Sequence, residues 1–184
     1  MSDKDLTGYC KLAKGHQFHG PYHDLEYGFP VADDNVLFER LVLEINQAGL
    51  SWVIILKKRK AFQQAFNGFD IARVARYGDA ERARLLSNPS IIRNKRKVDA
   101  VIENANRIIK IKKEFGSFYN WLIEQHTRDK DSWVKLFKKN FVFTGGEITS
   151  EFLMSTGFLP GAHASNCPVL KKIARLNPPY LRCK

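Results

Sequence analysis

The chain has 184 residues, 44% of them hydrophobic, so it is long and apolar enough to fold around a core. Thirty Lys and Arg residues against 19 Asp and Glu give a net charge of +11, which favours a polyanionic partner. Nucleic acid is the leading candidate, although a membrane surface or a simply basic exterior fits the same charge. With no apolar run of membrane-spanning length and no secretory signal pattern at the N-terminus, we expect a cytoplasmic protein that does not associate with membranes.

Helical periods dominate the chain, and strand-like alternation is scarce, so the sequence predicts an all-α fold. The segment 20–31 has little helical pattern and is interpreted as a surface loop anchored by aromatic residues. Asp33 and Asp34 are placed to cap a helix over 36–48 that ends at Gly49, and Ser51 is placed to cap the next helix. The remaining predicted elements are short helices capped by Asp70 and Asp79, a turn over 91–95, a basic helix over 96–114, a helix capped by Ser117, helices over 132–139 and 149–156, and an irregular tail from 177.

Glu44 is the first candidate functional residue. Helical spacing places it on one face with Leu37, Leu41 and Ala48, so its carboxylate lies within an apolar stripe. A carboxylate in such a place is unfavourable without a partner, and groups of this kind cluster at functional sites. The structural alternative is a glutamate at the edge of the stripe that reaches water or pairs with a lysine.

The cysteine and histidine residues indicate a possible metal site. Three cysteines are an odd number, which argues against a disulfide framework. His163 and Cys167 are four residues apart, which on a turn of helix places imidazole and thiolate on one side, and Cys10 and His23 could complete a tetrahedral zinc site. Spacing alone leaves other ligands open, because further candidates are equally available: His16, His19 and Cys183.

Two basic runs flank predicted turns, one over 57–60 and one over 93–97. A hairpin between two helices can present backbone N–H groups to a phosphate, and lysine and arginine side chains add charge there. A solvated helix face is the structural alternative for either run.

Several blocks of the sequence together resemble 3-methyladenine DNA glycosylase I. The resemblance is strong from about Tyr9 to Phe118 and weaker afterwards. The blocks that carry it are Tyr22-His23-Asp24-x-Glu26-Tyr27-Gly28, Leu43-Glu44-x-x-Gln47-Ala48-Gly49-Leu50-Ser51-Trp52, Leu56-Lys57-Lys58-Arg59, Ile91-Ile92-Arg93-Asn94 and Lys138-Lys139-Asn140-Phe141-Val142-Phe143-Thr144-Gly145.

The resemblance implies an all-α, helix-hairpin-helix DNA glycosylase fold and a structural zinc ion that joins the termini. It implies a single domain over 1–184, with a helix-hairpin-helix portion at about 33–116 and a terminal portion formed by 1–32 and 117–184. The expected enzyme is a monomer that hydrolyses the N-glycosidic bond of 3-methyladenine in alkylated double-stranded DNA. It flips the base out of the duplex and has no lyase activity.

Functional residues follow from the resemblance position by position. Glu44 and Tyr22 would hydrogen-bond the edge of the flipped base, and Trp52 would line the pocket. The zinc ligands would be Cys10, His23, His163 and Cys167. The DNA contacts would come from the corner at Gly49, Leu50 and Ser51, with Leu50 filling the gap in the duplex, and from the turn formed by Ile92, Arg93, Asn94 and Lys95.

The chain departs from the family pattern at several positions. Leu12 stands where the family usually has Trp, and His19 stands where it usually has Tyr. Tyr27 replaces the Trp of a Glu-Trp-Gly motif, and Gly161-Ala162 replaces the Asn-Asp before His163. The departures at Leu12 and His19 motivate one alternative function, a glycosylase with altered substrate range. The other alternative is a DNA-damage binding protein that lacks turnover.

Overall fold

The computed structural model describes residues 6–126 and 128–182, so Cys183, one of the alternative metal ligands, lies outside the described residues. Within these ranges the chain forms helices joined by turns, without strands, as the sequence predicts. No described helix is both long and apolar enough to cross a lipid bilayer. The helices are α1 (Gly8–Ala13), α2 (His19–Leu25), α3 (Asp34–Gln47), α4 (Trp52–Ala65), α5 (Ile71–Val74), α6 (Asp79–Ser87), α7 (Lys95–Phe115), α8 (Phe118–Gln125), α9 (Lys130–Asn140), α10 (Gly146–Ser155) and α11 (Pro168–Arg175).

Helix α3 is the centre of the fold. It packs against α4, α7, α8 and α10, so almost every residue of its middle turns is buried. The apolar stripe through Leu37 and Leu41 is fully buried, which confirms that this face is directed into the protein. Because neighbouring helices surround α3, the polar residues Glu39, Arg40 and Glu44 are buried as well. The helix therefore brings charge into the core.

Three of the five predicted caps are confirmed by a hydrogen bond. The side chains of Asp33, Asp70 and Ser117 each accept a hydrogen bond from a backbone N–H three residues ahead, which satisfies a group that the helix leaves unpaired. Ser51 is the N-cap of α4 without a side-chain capping hydrogen bond, and Asp79 is the first residue of α6, whose N-cap is Gly78. The boundary differs from the prediction by one position.

One prediction of irregular structure is wrong, because the segment interpreted as a loop contains α2, with Tyr22 and His23 buried on it. The stretch after Cys167, for which the sequence predicted no element, forms α11. Neither helix is long enough to be stable alone, so tertiary packing decides that they form. His163 and Cys167 do not share a helical turn either; His163 lies in the bend before α11, and Cys167 is the N-cap of that helix.

Residues from both ends of the chain form a second, smaller apolar cluster. Cys10 of α1 packs there with Cys167 and with Val169 and Ile173 of α11. The larger core runs from Leu37 to Phe158. The termini are therefore fastened to each other beside the main core.

Candidate functional site

An open cavity of about 680 Å³ lies where α2, α3 and the start of α4 meet the start of α10. Its walls combine aromatic rings, backbone from two glycine-containing turns, and three carboxylates. The lining residues are Tyr9, Tyr22, Tyr27, Glu44, Gln47, Ala48, Gly49, Trp52, Gly145, Gly146, Glu147, Ile148 and Glu151.

The structure brings the three predicted base-recognition residues together in this cavity. Tyr22 comes from α2, Glu44 from α3, and Trp52 from the first position of α4. The rings of Tyr22 and Trp52 lie with centroids 5.2 Å apart at an interplanar angle of 60°. A flat ligand that carries hydrogen-bonding edges fits such a combination of aromatic faces and one carboxyl group.

The carboxyl group of Glu44 is in an unfavourable environment. The residue is only 4% exposed, and its side chain makes no hydrogen bond to any other described residue. Burial raises the pKa of Glu44 to about 8, repulsion from Glu151 raises it further, and the nearby Arg40 opposes both effects. The empty cavity therefore holds Glu44 mostly protonated at neutral pH, and a cationic ligand would stabilise its ionised form.

A buried network of ion pairs lies next to the cavity. Arg59 donates to Glu26 at 2.7 Å and to Glu39 at 2.9 Å, and Arg40 also pairs with Glu26. The Arg40 guanidinium carbon is 4.9 Å from the centroid of the Tyr22 ring, so the network supports one wall of the cavity. Sequence reasoning missed this network. The signal in the sequence was the pair of adjacent charged residues Glu39 and Arg40 within the otherwise apolar middle of α3.

The same network changes the interpretation of the basic run over 57–60. Arg59 is paired and largely buried, and the Lys58 ammonium donates to the carbonyls of Pro89 and Ser90 at 3.1 and 3.0 Å. Only Lys57 and Lys60 are exposed. The run therefore serves mainly to join helices, and it is not a uniform surface for phosphate contacts.

Two tyrosines and a second carboxylate in the cavity were not predicted as site residues. The Tyr27 hydroxyl donates to Glu151 Oε2 at 3.0 Å, and the Tyr9 ring meets the Tyr27 ring edge-on at 5.1 Å. Leu12, whose difference from the family pattern suggested an altered pocket, is 56% exposed and is not part of the lining. Tyr9 is the residue of α1 that faces the cavity.

The four predicted metal ligands form one buried cluster: Cys10, His23, His163 and Cys167. His163 Nδ1 lies 3.8 Å from Cys10 Sγ, 3.6 Å from Cys167 Sγ and 3.1 Å from His23 Nε2. Tetrahedral ligation with bonds of about 2.0–2.3 Å separates ligand atoms by roughly 3.3–3.8 Å. The spacing of this cluster is therefore suited to a small tetrahedral cation.

Hydrogen bonds outside the cluster orient both imidazoles. Asp24 Oδ1 accepts from His23 Nδ1 at 2.7 Å, and the backbone oxygen of Tyr27 accepts from His163 Nε2 at 2.7 Å. The opposite ring nitrogens therefore direct lone pairs at each other, an arrangement that a cation between them would stabilise. Of the two other histidines considered as ligands, His19 has its Nδ1 3.1 Å from the Tyr9 hydroxyl, and both His19 and His16 lie outside the cluster.

Gly28 allows the two ends of the chain to approach each other at this cluster. Its φ of +83° favours glycine, and a Cβ there would lie 2.8 Å from Ala162 Cβ and 3.2 Å from the His163 ring. Within the Glu26-Tyr27-Gly28 motif, Gly28 therefore matters for its backbone conformation. Because Gly28 has no side chain, the segment around His163 can pack closely against it.

The corner between α3 and α4 forms part of the cavity rim. Gly49 is exposed with φ +80°, and the Gln47 amide donates to the Leu50 carbonyl at 3.2 Å, which closes the turn. Leu50 is half-buried and packs on the main core. Ser51 is exposed at the N-cap of α4.

The turn between α6 and α7 has the exposure expected of a binding turn. Arg93, Asn94 and Lys95 are exposed and Ile92 is half-buried. The Asn94 side chain caps α7, and the Lys95 ammonium pairs with Asp99 at 2.7 Å. The N-terminus of a 21-residue helix thus opens onto a surface that also presents an exposed guanidinium.

A buried lysine connects this turn to the corner. The Lys97 ammonium donates to the carbonyl oxygens of Asn46 and Ala48 at 2.8 and 2.7 Å. Lys97 is 5% exposed, and burial lowers its pKa. The first turn of α7 therefore holds the end of α3, so the predicted turn and corner are joined in the structure.

Comparison with known proteins agrees with this arrangement. A family model described as methyladenine glycosylase matches residues 12–135. The DNA-3-methyladenine glycosylase of Haemophilus influenzae is 30% identical over 182 residues, which cover 89% of this chain and 98% of that protein. DNA-3-methyladenine glycosylase 1 of Escherichia coli is 33% identical over 165 residues, which cover 79% of this chain and 88% of that protein.

Solved structures show the same fold. A variant of 3-methyladenine DNA glycosylase I in complex with 3-methyladenine superposes with a TM-score of 0.81 at 29% identity, covering 89% of this chain and 97% of that chain. The 3-methyladenine DNA glycosylase I of Staphylococcus aureus gives a TM-score of 0.79 at 30% identity, with coverages of 88% and 95%. The chain therefore belongs to the 3-methyladenine DNA glycosylase I family.

Proposed function

We propose that this chain is a base-excision repair glycosylase that hydrolyses the N-glycosidic bond of 3-methyladenine in alkylated double-stranded DNA. The observation that carries the proposal is the buried carboxyl of Glu44, which lines an aromatic cavity and whose pKa is raised by burial more than the nearby Arg40 lowers it. A cationic purine supplies both the missing hydrogen-bond donor and the missing charge.

In this proposal the base is flipped out of the duplex into the cavity. Glu44 and Tyr22 read the edge of the base, and Trp52 contacts its face. The Tyr22 hydroxyl supports this role, because it is buried without a hydrogen-bond partner among the residues that the structure describes. An orphaned hydroxyl of this kind is stabilised when a ligand supplies a donor or acceptor.

The chemistry requires little from the protein, because alkylation at N3 already gives the purine a positive charge. The bond from the sugar C1′ to purine N9 breaks, and its electron pair leaves with the base and neutralises that charge. Water adds its oxygen to C1′ and releases a proton. No lysine is among the described lining residues, which supports hydrolysis rather than a lyase reaction through a Schiff base.

We propose that the corner and the turn bind DNA on either side of the flipped nucleotide. Gly49, Leu50 and Ser51 would approach the gap in the duplex, and Leu50 would fill it. Contacts to the backbone phosphates would come from Ile92, Arg93, Asn94 and Lys95 through exposed charge and the N-terminus of α7.

We also propose that zinc occupies the Cys/His cluster. Two thiolates and two imidazoles suit this ion, and Asp24 Oδ1 and the Tyr27 backbone oxygen orient the imidazoles for it by accepting hydrogen bonds from the other ring nitrogens. With four protein ligands the site is closed and structural. Zinc there supplies no chemistry to the base; it holds α1, α2 and the start of α11 together. We propose that the chain is one domain and acts as a monomer.

The proposed function is tested by single-turnover incubation with methylated duplex DNA. Release of free 3-methyladenine, with an abasic strand left uncleaved, is the expected result. Tight binding without base release would instead identify a damage-binding protein. Release of other bases at comparable rates would identify a broader glycosylase.

The DNA-binding surface predicts a steep dependence on salt. Each phosphate that the protein neutralises contributes about −0.9 to the slope of log affinity against log salt concentration. Replacing Arg93 by glutamine should therefore weaken duplex binding regardless of sequence and reduce the slope by about one. The matched control is Lys171→Gln, which removes an exposed charge from α11. Equal slopes for Arg93→Gln and wild type would remove the turn from the interface.

A further inference from the structure

A second carboxylate faces the cavity beside Glu44. Glu151 lies on α10, which packs directly against α3, and both glutamates line the same cavity. Glu151 is half-buried, and the resemblance to the family assigns it no role. Its position in the lining of the same cavity as Glu44 suggests that it acts on the same ligand.

The Glu151 side chain is held in place. The Tyr27 hydroxyl donates to Glu151 Oε2 at 3.0 Å, and Tyr27 itself is 8% exposed. The Tyr27 backbone oxygen accepts from His163 at 2.7 Å, and the Tyr9 ring packs edge-on against the Tyr27 ring. The carboxylate is thus oriented by residues anchored at the joined termini, and its charge is fixed relative to the cavity.

The charges around Glu151 leave the cavity electronegative. Glu44 and Glu147 repel it, and Lys130 provides a partial counter-charge. The one buried cation near Glu44, Arg40, is already paired with Glu26. Among the described residues, no lysine or arginine lines the cavity. Charges of the described residues therefore balance Glu151 only in part.

Resting on the proposed function, we infer that Glu151 is a specificity-determining residue that makes the cavity prefer positively charged purines over neutral purines of the same shape. A cation in the cavity is attracted by both glutamates, whereas a neutral base relieves none of their mutual repulsion. Glu44 reads the edge of the base, and Glu151 supplies a second charge whose effect depends on the charge of the ligand.

The experiment compares two ligands of one shape in direct titrations, which need no turnover. The cation is 3,9-dimethyladeninium, and the neutral ligand is its analogue with carbon in place of N3. Glu151→Gln keeps the size of the side chain and an acceptor for Tyr27. We expect it to weaken binding of the cation about tenfold and to leave binding of the neutral analogue unchanged or slightly tighter. The control Glu114→Gln, an exposed charge on α7, should change neither.

The pH dependence of cation binding gives a second measurement, which would not change if Glu151 had only a structural role. The cation does not titrate, so its affinity rises with pH as Glu44 ionises near its pKa of about 8. Without the charge of Glu151 the pKa of Glu44 falls, and the rise should move to lower pH by about one unit. The charged groups Glu147, Lys130 and Arg40 are the same in both proteins.

Two results would overturn the inference. Equal weakening of both ligands would show that Glu151 only shapes the cavity, and unchanged binding of both would show that its charge does not reach the ligand. Failure of the proposed function is a separate outcome, because it requires wild-type protein that releases no 3-methyladenine from DNA. If wild type excises the base and the preference for the cation survives Glu151→Gln, only the inference fails.

Discussion

Replacing Glu44 by glutamine is expected to reduce excision of 3-methyladenine by roughly thirty-fold or more. The substitution keeps the shape of the side chain but removes the charge and one acceptor. Breaking one partner of a buried, hydrogen-bonded charge pair costs about 2–5 kcal/mol, which corresponds to that loss in rate or affinity. Single-turnover excision and titration with free 3-methyladenine should both show it.

The same substitution should leave the free energy of unfolding unchanged or increased. The pKa of Glu44 is raised from an ordinary 4.5 to about 8, so folding favours its protonated form. Its contribution to stability is fully present below pH 4.5 and is lost as pH rises through 8. Glutamine does not titrate, so the variant should match wild type near pH 4 and exceed it above pH 8 by up to roughly 3–5 kcal/mol. Urea unfolding at several pH values measures the difference.

Glu39→Gln is the matched control on the same helix. Glu39 is also buried, but it accepts hydrogen bonds from Arg59 and Gln63 and does not line the cavity. Its loss leaves Arg59 partly unpaired, so stability should fall while binding of the base by the folded protein is retained. If Glu44→Gln instead loses stability as Glu39→Gln is expected to do, Glu44 is a structural residue and the base binds elsewhere.

Removing the metal is expected to have the largest effect on stability. Purified protein should contain about one zinc ion per chain, because a closed site of two cysteines and two histidines retains its ion. Cys167→Ala should lose that zinc and lower the melting temperature by about 10 °C or more. Loss of a structural zinc costs several kcal/mol of stability, and each kcal/mol lowers the melting temperature of a chain of this length by about 2–4 °C. Elemental analysis and thermal unfolding with and without a chelator measure both effects.

Cys183→Ala is the control for metal content, because the cluster of four ligands is complete without Cys183. It should keep full zinc and wild-type stability. Metal-free protein as stable as the native form, or Cys167→Ala with undiminished zinc, would contradict the assignment. The excision rate of remaining folded protein should change less than its stability, because the ion is proposed to have no role in the chemistry.

Local sequence determined much of the fold. Capping residues and apolar periods located α3, α4, α6, α7 and α8, because these signals depend only on neighbouring residues in one helix. The burial of Glu44 followed from the same reasoning, since a residue between Leu41 and Ala48 on one helical face must share their environment. Composition determined the basic charge and the all-helical class.

The four metal candidates were identifiable by residue type, but their pairing was not, because spacing cannot show which distant segments meet. The family resemblance singled out four ligands, and the tertiary structure shows these four clustered apart from His16 and His19. The same limit explains α2 and α11, which are too short to form on propensity alone and depend on packing between the chain ends.

The electrostatic character of the cavity was decided by tertiary structure alone. Glu151 is separated from Glu44 by more than one hundred residues, and its effect on Glu44 exists only because α10 packs against α3. Arg40 likewise acts through pairing with Glu26 from another segment. Charge interactions depend on distance and burial, and both are set by how the helices assemble. The sequence by itself determined which residues could carry the chemistry, and the packing of α3 against α10 decided how strongly they interact.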